Sequence, residues 1–417
     1  MEQNRKVALT GIGVVSPYGI GKECFWRGLQ KGSPAIRRIS LFNPEGFLSQ
    51  VGGEVPDLNG AVVLEGRKEL PRVVPMAILA AREALQDAEI DTTQLEESEK
   101  EKWAVIVGTG AGGIDYAEQQ YEGFHKEGSH RIHPYAISNS FPGMLSSELS
   151  IYFGFRGPSH VMSNGCTSST DAIGYAFQSI RRGERDCVLT GGAEACMTRG
   201  ILSGFCRMKV VSSRFNNTPE RASRPFDKER DGFVLGEGAW FFVLESFEQA
   251  RRRGARIYCF VSGYGATCDA FHPVRTTKDG KESARAMVEA VKDAGLALDE
   301  IDYINLHGTS TVMNDRTETA AVKLAFEKKS YAIPMSATKS LVGHPQGASG
   351  AMGVATCALS LANQFITPTA NYETPDEACD LDYTPNRGRE TVLRHVLSNC
   401  IGFGSKNASL VLSGVGA

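Results

Sequence analysis

The sequence predicts an α/β protein built twice over, a duplicated α-β-α-β-α layered sandwich with its two most special helices in the middle layer. Three observations carry this. Strand signals alternate with helix signals, the pattern of layered α/β proteins with largely parallel sheets. The two parts of the chain correspond: each opens with a glycine-ended strand, places a Gly/Ala-rich helix late, and closes with a strand, a glycine turn and another strand, Val188 to Leu244 in one and Val396 to Leu412 in the other. Small residues crowd both late helices, which implies that the two pack closely at the centre. The halves divide at 1–255 and 256–417, in keeping with 417 residues being long for one core.

In order, Val7 to Val15 is a glycine-broken β-rich run and the first strand, too polar for a signal-peptide core. Glu23 to Leu29 reads as a short helix, and the Gly-, Pro- and Asn-rich stretch to about Gly66 as loops. Pro75 to Gln86 is a helix, because Met76, Leu79, Ala80 and Ala84 share one face while Arg82 and Glu83 fall largely off it. Trp103 to Val107 is a buried strand, and Asp186 to Thr190 another, ending at Gly191-Gly192. Phe205 to Asp231 is loop-rich, and Gly238 to Glu245 closes the first half as a strand. The second half predicts strands at Ile257 to Gly263, Ile301 to Leu306 and Ile333 to Ser336, with helices at Glu282 to Ala294, Asp315 to Glu327 and Gly347 to Leu361. Val396 to Cys400 and Asn407 to Ser413 are the last strands, joined through Gly402-Phe403-Gly404.

Composition narrows the function. Hydrophobic content of 41% and charged content of 22% are those of a globular protein with ample core. A net charge of −3 gives no overall attraction for nucleic acid or an anionic membrane, and no apolar run approaches the ~18 residues of a membrane span. Ten cysteines without a C-x-x-C pair argue against zinc and against a disulfide framework, which points to a reducing, cytoplasmic setting. Gly108-Thr109-Gly110-Ala111-Gly112-Gly113 follows a strand and formally matches G-x-G-x-x-G. A dinucleotide site also needs an acidic residue about 20 residues on, at the end of a second strand. That region is His130-Arg131-Ile132-His133-Pro134, so a tight strand-to-loop turn is the better reading and no cofactor is expected.

Chemistry concentrates at three places. Cys166 stands between the Asn164-Gly165 turn and a run whose Ala172, Ile173, Ala176, Phe177 and Ile180 recur at helical spacing. A thiol at a helix start meets unpaired N–H groups and the positive end of the macrodipole, which favour thiolate and hence a nucleophile. The alternative is a buried cysteine serving as a small hydrophobe. His307 and His344 each lie on a glycine-flanked loop after a strand, in His307-Gly308-Thr309-Ser310-Thr311 and Lys339-Ser340-Leu341-Val342-Gly343-His344-Pro345-Gln346-Gly347-Ala348-Ser349-Gly350. Singly, either is more often structural; one cysteine and two such histidines together form a catalytic constellation.

With these motifs assembled, the sequence resembles the β-ketoacyl-acyl-carrier-protein synthases, the condensing enzymes of fatty acid and polyketide assembly, which share the thiolase fold. The resemblance runs from Val7 to Ser413 and rests on Asn164 to Ser169, His307 to Thr311, Lys339 to His344 and Gly402 to Gly404, supported by Arg224 to Asp227 and Asp231 to Gly238. Gly165 to Ser168, Asn314 to Ala321 and Cys379 to Tyr383 resemble the ketosynthase subunits of type II polyketide systems more than housekeeping fatty acid synthases. It implies a decarboxylative condensation of an acyl-enzyme thioester with malonyl-acyl carrier protein. Cys166 would carry the acyl chain, and its N–H with that of Phe403 would form the oxyanion hole, Phe403 also gating the site. His307 and His344 would hold the malonyl thioester carbonyl, Thr309 and Thr311 would line the carboxylate pocket, and Lys339 would support the site electrostatically. The implied partners are a phosphopantetheine-bearing acyl carrier protein and either a second copy or a homologous chain-length-factor subunit. Arg67, Lys68, Arg72, Arg207, Lys209 and Arg214 are candidates for docking the acidic carrier, against the reading of a solvated basic surface.

Two positions depart from the family pattern. Gly353 stands where a glutamate usually pairs with the lysine, leaving Lys339 in need of another acceptor, and Ser405-Lys406 follow Gly404 where small residues are usual. If the lysine's partner pocket persists, Gly353→Glu is tolerated; if it is filled, the fold suffers. Other readings are housekeeping fatty acid elongation, a non-catalytic partner subunit, which Cys166, His307 and His344 together argue against, and a degradative thiolase. The last needs a second active-site cysteine near the C-terminal glycine loop, where only Cys400 stands close.

Overall fold

The computed structural model describes residues 5–56, 58, 70–404 and 406–417. Ten strands carry the architecture: β1 Val7–Ser16, β2 Trp103–Gly108, β3 Ser159–Met162, β4 Cys187–Glu194, β5 Gly238–Ser246, β6 Cys259–Cys268, β7 Tyr303–Asn305, β8 Met335–Ser336, β9 His395–Gly402 and β10 Lys406–Ser413. They are hydrogen-bonded in the order β8-β7-β9-β10-β6-β1-β5-β4-β2-β3. Cut at the antiparallel β1–β6 seam, where Val7 pairs Val261 and Leu9 pairs Cys259, this path is two copies of one five-stranded sheet. In each the last strand runs antiparallel to both the first and the fourth, while the fourth, second and third are parallel. The duplication expected from the sequence is thus present in the hydrogen-bond topology.

Six helices repeat with the strands: α1 Val73–Asp87, α2 Met144–Phe153 and α3 Ser168–Arg181 in the first half, α4 Lys281–Asp293, α5 Val312–Phe326 and α6 Ser349–Asn363 in the second. α1 rests on β1 and β5, and α4 on the equivalent β6 and β10. The reason is the same both times. A Cβ at Gly11 or Gly13 would lie 2.1 Å or 1.8 Å from the Ala84 or Ala80 carbonyl oxygen of α1, and one at Gly263 or Gly265 would lie 2.1 Å or 2.3 Å from that of Ala290 or Ala286 of α4. Bare backbone on the sheet lets each helix sit directly on it.

The inner helices α3 and α6 touch each other and strands of both sheets, so the sheet path folds around them. Three apolar clusters result. One surrounds Ala172, Ile173, Ala176 and Phe177 of α3 with Ala351, Met352, Val354 and Ala355 of α6; the outer two lie under α1 with α2 and under α4 with α5. Every residue from Ser349 to Leu361 is buried, and a fully buried Phe177 alone contributes about 2–3 kcal/mol of transfer free energy. No helix among the described residues is long and apolar enough to cross a membrane.

The structure extends the sequence reading in several places. Gly191 and Gly192 remain within β4 instead of ending it. Helices at Ile114–Glu127, Ala136–Ser140, Met144–Phe153 and Arg199–Met208 occupy stretches without a predicted element or, at 205–208, a predicted loop. Short strands at Arg37–Arg38 and Val51–Gly53 interrupt the early loops, and Lys339–Val342 forms a single helical turn.

Candidate active site

Cys166 lies in a 3₁₀ turn, Gly165–Thr167, that feeds directly into α3. The turn is closed by the Ser168 hydroxyl, which accepts from the Asn164 N–H at 2.8 Å and donates to the Gly165 carbonyl at 2.6 Å. Gly165 has φ +73°, a left-handed conformation that a side chain would strain. The thiol is therefore placed at the first turn of the inner helix of one half.

His344 arrives from the other half, just ahead of α6. Its N–H donates to the Val234 carbonyl at 2.7 Å and its own carbonyl accepts from the Gly236 N–H at 3.0 Å, so the first half's backbone fixes the second half's loop. Its ring Nε2 stands 3.3 Å from Cys166 Sγ, while Nδ1 is 2.9 Å from the Ser349 hydroxyl. A hydroxyl can donate or accept, so Ser349 supports either neutral tautomer of the imidazole.

His307 follows β7. Its N–H and that of Gly308 donate to Glu318 on α5 at 2.7 and 2.8 Å, and Asn399 donates to the same carboxyl at 2.7 Å. The two imidazoles meet edge to face, centroids 5.3 Å apart. Cys166, His307 and His344 each offer one ligand-type atom, and these three lie within 4.8 Å of one another. A thiol and two imidazoles could hold a metal ion, but the neighbouring Lys339 ammonium opposes a divalent charge there. Thr309 and Thr311 share a hydroxyl contact of 2.9 Å. They line, with the three residues above, Phe403 and Arg275, a mostly apolar cavity of about 160 Å³. The Phe403 ring packs 6.4 Å from that of Phe205 at its side.

Burial governs the protons. The Cys166 thiol is pushed up to about 11 by loss of water, against the pull of the Lys339 charge and of the Phe403 and Cys166 N–H groups. This corrects the expectation of a thiolate: desolvation outweighs the helix N-terminus, and the resting sulfur carries its proton. The N–H groups of Phe403 and Cys166 lie close to the sulfur and favour its charged form, without outweighing burial. His307 and His344 are held well below the usual histidine range by burial first and then by Lys339, so both are neutral.

Lys339 Nζ donates to the His307 carbonyl at 2.6 Å and approaches its Nδ1 at 3.3 Å. No carboxylate among the described residues lies within ion-pair distance of it, and burial lowers its pKa. The space a glutamate at position 353 would enter is closed: a Cβ there would sit 2.5 Å from Ser398 Oγ and 3.0 Å from Asn305 Oδ1. Asn305 in turn donates to Tyr303 and Thr338, and Thr338 bonds Thr356, an uncharged buried network. Cys400 lies beside the site, donating to the Cys166 carbonyl at 3.1 Å and 3.5 Å from His307 Nδ1, and burial keeps its thiol protonated.

Among the docking candidates, Arg67 and Lys68 lie outside the described residues, and Ser405 does as well. Arg72 is withdrawn from the set: its guanidinium grips buried Glu237 at 2.7 Å and also donates to the Val55 carbonyl. Arg207 and Lys209 are exposed, and Arg214 is exposed but pairs with Glu229. Arg224 and Arg230 are buried clamps on Asp227 and on Asp315 with Asp376. Sequence reading passed over Glu318, Ser349 and Gln346 as functional residues. Local pattern does not single them out, since each is defined by the backbone or side chain it meets from another part of the chain.

Residues 4–250 match the family model described as Beta-ketoacyl synthase, N-terminal domain, and residues 258–373 its C-terminal counterpart. A Streptomyces halstedii protein provisionally named polyketide beta-ketoacyl synthase 1 is 42% identical, covering 99% of this chain and 98% of its own. The 3-oxoacyl-[acyl-carrier-protein] synthase 2 of Coxiella burnetii is 37% identical over 99% of both. Two solved structures superpose with a TM-score of 0.91. One is a type II polyketide ketosynthase bound to a hexaketide in complex with its acyl carrier protein, 31% identical over 99% of this chain and 100% of that one. The other is the ishigamide ketosynthase/chain length factor, 35% identical over 99% of each.

Two outcomes are expected. Gly353→Glu forces a carboxylate into the Asn305–Ser398 network and lowers stability by about 2 kcal/mol or more, read as a fall in melting temperature; an unchanged melting temperature contradicts this. Glu318 is raised to about 7 from 4.5, by burial first, against its three hydrogen bonds. A raised carboxyl binds its proton more tightly when folded, so its contribution is full below 4.5 and is lost as pH rises through about 7. The stability of the native chain relative to Glu318→Gln is therefore expected to decline over that window in denaturant titrations at several pH values; a flat or rising difference contradicts it.

Proposed function

Because the chain belongs to the β-ketoacyl synthase family, we propose that its Cys166, His307 and His344 perform a decarboxylative condensation. An acyl group held on Cys166 is joined to a malonyl unit on an acyl carrier protein, giving a 3-oxoacyl-carrier protein and CO2. The observation that carries this is the 3.3 Å contact between the buried Cys166 Sγ and His344 Nε2 at a cavity shared with His307.

His344 takes the Cys166 proton as the sulfur attacks the incoming thioester, and returns it to the departing pantetheine thiol, so a neutral pair needs no standing thiolate. The tetrahedral oxyanion is received by the N–H groups of Cys166 and Phe403. Malonyl-carrier protein then enters past Phe403, its carboxylate toward Thr309 and Thr311 and its thioester oxygen toward His307 and His344. Loss of CO2 leaves an enolate held by the two imidazoles, and its carbon attacks the acyl-cysteine, breaking the carbon–Sγ bond; the released sulfur takes a proton from water through His344 and returns to its resting thiol. Lys339, fixed on the His307 carbonyl, adds to burial in keeping both imidazoles unprotonated and lends positive potential to the enolate.

The 42% identity to a provisionally named polyketide synthase, against 37% to fatty acid synthases, favours the polyketide branch; fatty acid elongation is the second reading. By analogy with the carrier complex and the chain-length-factor structure, the chain receives a carrier protein and pairs with a second copy or a homologous subunit; exposed Arg207 and Lys209, with Arg214 five residues on, are the side chains offered to an acidic carrier. Its ten cysteines are all free thiols, which suits the cytoplasm.

Intact-mass analysis with acyl- and malonyl-carrier protein tests the assignment. Cys166→Ala is expected to fold yet form no adduct and no product. His344→Ala is expected to slow acylation about 10²–10⁴-fold, and His307→Ala to spare acylation while halting CO2 release. Condensation by Cys166→Ala would overturn the reading.

A further inference from the structure

The proposed chemistry asks two opposite things of one atom. During acylation His344 Nε2, 3.3 Å from Cys166 Sγ, has to receive the thiol proton and so must be bare, which leaves the ring proton on Nδ1. During condensation the same Nε2 faces the malonyl thioester oxygen and has to donate to it, which puts the ring proton on Nε2. His344 must therefore change tautomer between the half-reactions and change back before the next acyl group arrives.

What faces Nδ1 decides whether both forms are held. Among the described residues the one hydrogen-bond partner of that atom is the Ser349 hydroxyl at 2.9 Å, and this is also the hydroxyl's one hydrogen bond. Ser349 opens α6 and is 3% exposed, so water does not compete for it. Turning its O–H bond about the C–O axis converts the hydroxyl from acceptor to donor without moving a heavy atom. The rings packed around the imidazole, Phe233 edge-on at 5.4 Å and His307 at 5.3 Å, hold its plane and leave that choice to Ser349.

His307 is built differently. Its Nδ1 faces Lys339 Nζ at 3.3 Å, and an ammonium gives protons but has no lone pair to receive one. Cys400 Sγ, 3.5 Å from the same nitrogen, has its own proton on the Cys166 carbonyl. His307 is thereby kept with its proton on Nε2, a standing donor in both half-reactions.

We infer that Ser349 is a positioning residue that lets His344 reverse its tautomer between acyl transfer and condensation, while His307 keeps one tautomer throughout. The inference rests on the condensing-enzyme reading and adds to it a division of labour between the two imidazoles. In the forward exchange one proton passes from water to Nε2 and one leaves Nδ1 for water, so the ring stays neutral and no net proton is consumed. After condensation Nε2 gives its proton to the released sulfur and Nδ1 takes one from water, which restores the starting form.

The test is NMR of enzyme labelled at the histidine ring nitrogens, before and after acetyl-pantetheine has acylated Cys166, with His344→Gln and His307→Gln assigning the signals. His344 is expected to carry its proton on Nδ1 in the free enzyme and on Nε2 in the adduct, and His307 to carry it on Nε2 in both. One tautomer of His344 in both states, or a change at His307, would overturn the inference. Intact mass keeps the two levels apart: adduct with unchanged tautomers defeats only the role of Ser349, whereas no adduct defeats the condensing reading and this inference with it. Ser349→Ala, which leaves the Nδ1–H of the transient imidazolium unpaired, is expected to slow acylation about tenfold or more, and Ser349→Thr, which restores a hydroxyl, to stay within about threefold of native. An alanine variant that acylates as fast as the native enzyme would overturn the inference as well. The native spectra decide even if a variant fails to fold.

Discussion

The contact on which the rest depends is between the leading ends of the two inner helices. A Cβ at Gly350 would fall 2.0 Å from Thr170 Oγ1 and 2.5 Å from its backbone nitrogen, so only a glycine lets α6 come this close to α3. The Ala351 N–H then donates across the gap to Ser169 Oγ at 2.9 Å. Because Cys166 precedes α3 and His344 precedes α6, drawing the helix ends together draws the sulfur and the imidazole together. Tyr264 of β6 reinforces the joint by donating to Asp171 of α3 at 2.7 Å. A duplicated fold thus puts reactive groups from opposite halves at one point without any long loop.

The same closeness removes water, and the absence of water sets the charge state of each group. Burial raises the thiol and lowers both imidazoles and the lysine, so the sulfur and the two imidazoles rest neutral. A neutral thiol–imidazole pair loses less on burial than an ion pair would. Lys339 is satisfied by the His307 carbonyl and not by a carboxylate, and the hydroxyl and amide network at Gly353 leaves no room for one. Lys339 is thus held beside an uncharged network of amide and hydroxyl groups.

Much of this was legible in the sequence. The strands with continuous apolar runs, such as Trp103 to Val107 and Trp240 to Leu244, and the helices with a clear apolar face were located to within a few residues. The cysteine and histidine motifs were found because glycines mark the turns that present them. Other features lay beyond local patterns. Ile114–Glu127 buries only Tyr116 and Ala117, too thin a stripe to stand out, and Gly191 and Gly192 read as a strand end although pairing with β5 and β2 carries them through. The helix-end argument for a thiolate failed because dipole effects are local, whereas burial depends on every element packed around the sulfur. Glu318, Ser349 and Gln346 gain meaning only from what they face in three dimensions.

The most direct test of this account is the protonation of Cys166 itself, read as the difference in thiolate ultraviolet absorbance between the native chain and Cys166→Ala across pH. A sulfur desolvated between two packed helices and held against a neutral His344 should show no thiolate at neutral pH, with the signal rising only toward about 11. Thiolate absorbance already present at pH 7 would contradict it, and would mean that the helix N-terminus or an imidazolium, not burial, sets the state of the nucleophile.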